Sequence, residues 1–92
     1  MGEKAQRMAD ANTGGGIISS IPQSTVYANS KLLSVNGSSV TTHGSDPAVH
    51  SGAKTANGSS TVFAGGLGVN RNTDVDNCTH VRTGGSSNVN IG

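Results

Sequence analysis

Apolar residues along this chain come in short runs, not in stripes. Ile17-Ile18, residues 25–28, 32–35, 60–64 and 88–91 are β-branched or aliphatic, and Gly, Ser and Asn clusters part them. Runs of this length between turn formers predict short strands in hairpins. Asn36-Gly37 and Asn57-Gly58 are expected at turns, because both residue types accept positive φ. Only residues 1–12 carry helical propensity. That stretch is too short for a stable isolated helix, and the Gly14-Gly15-Gly16 run interrupts the chain behind it. Residues 1–8 are therefore expected to form a mobile or loosely docked arm, and residues 9–92 a single domain.

Composition sharpens the picture. The 92 residues include 14 Gly, one Tyr, one Phe and no Trp, with 32% hydrophobic and 12% charged residues and a net charge of +1. The chain lacks the Leu-, Ala-, Glu- and Lys-rich segments of a helix bundle. It lacks the like charges of a charge-driven disordered tail, and its near-neutral balance argues against a dedicated nucleic-acid binder. No run approaches the ~18 apolar residues of a membrane span. The readings left are Gly/Ser-rich disorder, or a turn-rich all-β domain with a small core. One cysteine cannot form an internal disulfide, so a metal or a partner is the expected source of extra stability.

An internal repeat favours the folded reading. Ser24-Thr25-Val26-Tyr27-Ala28 recurs as Ser60-Thr61-Val62-Phe63-Ala64, and Ser87-Asn88-Val89-Asn90-Ile91 is a shortened third copy. Gly-Ser-Ser occurs three times, beginning at Gly37, Gly58 and Gly85. Three related strand units predict pseudo-threefold geometry in one chain, suited to a trimeric partner.

The candidate chemistry lies between positions 43 and 80. His43, His50, Cys78 and His80 form a Cys-His₃ set suited to tetrahedral zinc. Cys78 and His80, at i and i+2, would share one face of a strand. Surface histidines and a buried apolar cysteine are the plainer alternative, and iron is the rival metal. Four protein ligands leave no open position for catalysis. Asp46, Asp74 and Asp76 are expected as solvated turn residues, and Cys78 beside His80 is only a weak nucleophile candidate. The Gly-rich stretches 14–16 and 65–68 lack the Lys-Ser/Thr of a phosphate loop. A small zinc-dependent hydrolase is the enzymatic alternative.

The repeats resemble the PAAR-repeat family of spike-tip proteins. The family repeat Val-Phe-Val-Asn-Gly-Lys-Pro-Ala-Ala-Arg-Val-Gly-Asp aligns without a gap on residues 26–38, where Val26, Asn29, Lys31 and Gly37 match. It aligns again on residues 62–74, where Val62, Phe63, Gly66, Arg71 and Asp74 match. Residues 85–92 are similar to the family ending Gly-Ser-Pro-Asn-Val-Phe-Ile-Gly. The Pro-Ala-Ala-Arg tetrapeptide is replaced by Leu32-Leu33-Ser34-Val35 and Gly68-Val69-Asn70-Arg71.

The resemblance implies a small cone of short β-hairpins with zinc near its apex, held by His43, His50, Cys78 and His80. It implies a base, carrying Val26, Tyr27, Val62, Phe63, Val89 and Ile91, on the blunt end of a trimeric β-helical spike. The function implied is a non-enzymatic tip that helps a contractile injection machine pierce the bacterial outer membrane. The chain looks most like the stand-alone tips of T-even-type phage tail baseplates, which places it in the virion. A type VI secretion tip carrying effectors is the alternative machine.

Overall fold

The structure is a computed structural model and describes residues 3–43 and 52–92. It is all-β: the described residues form eight strands of two or three residues and no helix. In chain order these are β1 (Glu3–Lys4), β2 (Ile18–Ser20), β3 (Tyr27–Ala28), β4 (Lys31–Leu32), β5 (Ser39–Val40), β6 (Phe63–Ala64), β7 (Leu67–Gly68) and β8 (Asn90–Ile91). They pair antiparallel as β1–β8, β2–β5, β3–β4 and β6–β7. The molecule measures 37 × 24 × 23 Å along its principal axes.

The hairpins follow from local sequence. Asn29 and Ser30 turn β3 into β4 with φ of 54° and 65°, and Gly65 and Gly66 turn β6 into β7 with 59° and 79°. Two consecutive positive φ values match the right-handed twist of the flanking strands. A side-chain cap precedes β3, β6 and β8. Gln23 Oε1 accepts from the backbone N–H groups of Thr25 and Val26. Ser59 Oγ accepts from Thr61 and Val62, and Ser86 Oγ from Asn88 and Val89. The caps take the N–H groups of Val26 and Val62, whose carbonyls still accept across the hairpins from Leu33 and Val69, and the regular strands are shorter than the expected runs.

Beyond the hairpins, three extended segments close on one another. Ala5 bridges Arg71, Leu33 bridges Arg7, and Val69 bridges Val35. One position further on, Gln6 N–H donates to Asn70 O, Asn70 N–H to Ser34 O, and Ser34 N–H to Gln6 O, all at 2.9–3.0 Å. These bonds form a closed ring. Side chains alternate along the segments. Ala5, Leu33 and Val69 join Ala28, Val35, Ala64 and Ile91 in the apolar core. Gln6, Ser34 and Asn70 are wholly buried in a polar layer, where Ser34 Oγ donates to Asn70 Oδ1 at 2.8 Å.

Residues 3–8 correct the expectation of a loosely docked arm. β1 is the antiparallel partner of β8, with Glu3 opposite Ile91 and Lys4 opposite Asn90. Ala5 and Gln6 are fully buried. A few tenths of a kilocalorie of helix propensity per residue is outweighed by pairing the edge of β8 and filling the core.

Two short turns in this region share one device. Arg7 and Asp10 close a turn through Asp10 N–H to Arg7 O, and Asp10 accepts from the Arg7 backbone N–H and guanidinium. Arg71 and Asp74 repeat every one of these bonds. Ala9 and Thr73, the third residues of the turns, have φ of 73° and 75°. Asn36-Gly37 occupies a related turn, closed by Ser38 N–H to Val35 O, with Gly37 at φ 88°.

Candidate metal centre

Three of the four expected ligands converge. His43 Nε2 lies 2.9 Å from His80 Nδ1, while Cys78 Sγ lies 3.3 Å from His43 Nε2 and 3.6 Å from His80 Nδ1. Zinc bonds of ~2.0–2.1 Å to nitrogen and ~2.3 Å to sulfur in tetrahedral geometry separate donors by about 3.4 Å (N to N) and about 3.6 Å (N to S). The Cys78–His80 edge matches that size, and the other two edges, at 2.9 and 3.3 Å, are tighter. His50 lies outside the described residues, as does Asp46.

Each ligand is placed by a local device. Cys78 and His80 do not stand on a strand as expected. They sit in a tight loop closed by the Val75–Val81 bridge and by Asp76 N–H to His80 O at 2.8 Å. Thr79, between them, has φ of 73°, and its N–H donates to Asp76 O. This turn brings an i, i+2 pair to one point without strand geometry. His43 is anchored through Nδ1, 2.7 Å from Thr41 O. A carbonyl only accepts, so Nδ1 carries the proton and the neutral ring keeps its Nε2 lone pair towards Cys78 and His80. The two rings lie 4.9 Å apart and are tilted by 53°.

Sequence reading missed the floor beneath these rings. A Cβ on Gly14 would collide with Cε1 and Nδ1 of His80, and one on Gly16 with Nδ1 of His43. As sequence, the triple-glycine run signals only a chain break. Its first and third members are the bare backbone against which the imidazoles rest. A low-complexity glycine run carries no local signal for such close approach.

Behind the floor lies a buried polar group. Asp76 and Arg82 are almost wholly buried, with Arg82 Nε 3.4 Å from Asp76 Oδ1. Asn12 Nδ2 donates to Asp76 Oδ2 at 2.9 Å. Burial raises the pKa of Asp76, against the opposing effects of Asn12 and Arg82. Burial lowers that of Arg82, against the pull of Asp76. Asp74 is also buried, and its hydrogen bond raises the pKa of Arg71. Both aspartates correct the expectation of solvated turn residues: Asp74 meets a donor set that replaces water, whereas Asp76 keeps one hydrogen bond, from Asn12, and the charge of Arg82 beside an Oδ1 that accepts none among the described residues. The Arg-x-x-Asp spacing shared by residues 7–10 and 71–74 was the available signal.

The expected base residues divide by exposure. Tyr27 and Phe63 are each 58% exposed and Val26 38%. Val62 and Val89 are half-buried against the core, and Ile91 belongs to it. Compared with known proteins, the chain matches no family model and no curated protein sequence.

The donor set fits a metal ion. Two imidazole nitrogens and a thiol, all within 4.8 Å of one another, could hold one metal ion. A bound ion would supply a cross-link between the His43 segment and the Cys78–His80 loop, where the chain has little apolar packing.

Proposed function

We propose that this protein is a PAAR-like spike tip: a metal-clamped, non-enzymatic cap on the blunt end of a trimeric β-helical spike in a phage tail baseplate. The observation that carries the proposal is the closed ring of Gln6, Ser34 and Asn70, with one antiparallel strand pair for each segment: the β3–β4 and β6–β7 hairpins and the β1–β8 pair. One chain that meets a threefold partner needs three such units, and this arrangement supports a pseudo-threefold base. Tyr27 and Phe63 open the first strands of their hairpins, as Asn90 opens β8. Their exposure suits a surface that is covered in an assembly.

The proposed role of zinc is mechanical. A narrow apex cannot enclose a core, so loops that must resist load are tied by coordination bonds. His43, Cys78 and His80 are the proposed ligands among the described residues, and His50 is the proposed fourth.

Native mass spectrometry of the protein mixed with trimeric β-helical spike ends tests this reading. The expected complex has one copy on three spike chains, weakened by Tyr27→Ser with Phe63→Ser at unchanged thermal stability. No complex with phage or type VI spike ends would refute the capping role. A pure protein that takes up no zinc would refute the clamp.

A further inference from the structure

Asn12 joins the two pieces of chain that place the metal ligands. Its Oδ1 accepts from the backbone N–H groups of Gly14 and Gly16, at 2.9 and 2.8 Å. Its Nδ2 donates to Asp76 Oδ2. The first pair of bonds shapes the glycine floor under His43 and His80. The second reaches the residue whose backbone N–H and C=O close the loop carrying Cys78 and His80. Arg82 Nη2 adds a bond to Gly16 O at 3.1 Å, and the Asn12–Arg82 bridge joins the same two pieces. Asn12, Asp76 and Arg82 are all buried.

We propose that Asn12 is a positioning residue of the metal centre, coupling the glycine floor to the Cys78–His80 loop so that the donors converge. This rests on the metal reading above. The chemistry of the site selects an amide. The floor offers only N–H donors to Oδ1, while Asp76 offers only acceptors to Nδ2. A buried carboxylate at position 12 would set oxygen against oxygen; serine has one shorter polar atom in place of the two with which Asn12 meets the floor and Asp76. Exchanging the two groups restores complementarity with the same charge in the buried set.

The test uses the full chain with zinc chloride and cobalt chloride as probes, in four forms beside the unsubstituted protein. These are Asn12→Asp, the milder Asn12→Ser, Asp76→Asn, and the exchange Asn12→Asp with Asp76→Asn. Zinc affinity is read by chelator competition, and ligand geometry by the visible spectrum of bound cobalt. Each single variant is expected to bind zinc about 10–100-fold more weakly, with altered cobalt bands. The exchange is expected to recover both to within about threefold. Recovery of the cobalt spectrum separates positioning from general stability, which the exchange need not restore. Folded Asn12→Ser that binds zinc undiminished would overturn the proposal, as would an exchange that binds no better than the singles. No zinc or cobalt uptake by the unsubstituted protein would overturn the metal centre itself, and this coupling with it.

Discussion

Gly14→Ala is the sharpest test of how the imidazoles are held. The new methyl would stand about 1 Å inside an optimal carbon contact of ~3.5 Å with Cε1 and Nδ1 of His80, and 2.9 Å from Cδ2 of His43. Gly14 does not have positive φ, so the cost falls on the rings and not on backbone conformation. Nδ1 is the His80 atom that faces Cys78 and His43. A shift of that size exceeds the ~0.2 Å tolerance of a metal–ligand bond several times over. The expected loss of zinc affinity is about 100-fold or more, or about 2.8 kcal/mol at ~1.4 kcal/mol per decade. Gly15→Ala is the control. Its Cβ would enter open space, but at φ 85°, so it should cost about 1–2 kcal/mol of stability through backbone strain and leave the rings untouched. Chelator competition reads the metal, and urea unfolding of the metal-free protein reads the fold. Undiminished zinc binding by Gly14→Ala, or equal losses in both variants, would refute a floor that acts through the imidazoles.

Further outcomes follow from the same contacts. Stripping metal with EDTA should lower the thermal midpoint and zinc should restore it; Cys78→Ser should abolish the restoration and the thiolate-to-cobalt absorption band. Zinc binding should weaken as pH falls, because the imidazoles and the thiol must shed protons to bind the ion, which chelator competition across pH would show. Arg82→Met leaves the buried Asp76 carboxylate without its cation and should cost about 3–5 kcal/mol in urea unfolding. Asp74→Ala removes the shared acceptor of the Arg71 backbone N–H and guanidinium and should cost about 2 kcal/mol, with Asp10→Ala close to it.

Much of the hairpin architecture was legible, for local reasons. The β3–β4 and β6–β7 hairpins fall in the repeated runs, and their turns are made by residues that tolerate positive φ. Cys78 and His80 were legible as a candidate pair because they are close in sequence, and His43 because imidazole is scarce in this chain; that the three converge is what the fold adds. The strand geometry assigned to Cys78 and His80 was wrong, since the positive φ of Thr79 has no signature in a threonine. Residues 1–8 were misjudged because propensity was read without knowing that β8 lacked a partner.

By itself, then, the sequence determined short strands, tight turns, a small core and a scarce set of metal-binding side chains. Those properties depend on a few neighbouring residues: the alternation of side chains, the φ freedom of Gly and Asn, and the volume of apolar groups. Tertiary structure alone decided that Glu3 lies beside Ile91, that Gln6, Ser34 and Asn70 close a ring, and that Gly14 lies beneath His80. Such contacts join distant segments at an entropic cost that grows only slowly with the intervening length. Any free strand edge could have satisfied β8 locally. What selected β1 was the simultaneous burial of Ala5 and Gln6, which exists only when all three segments are in place.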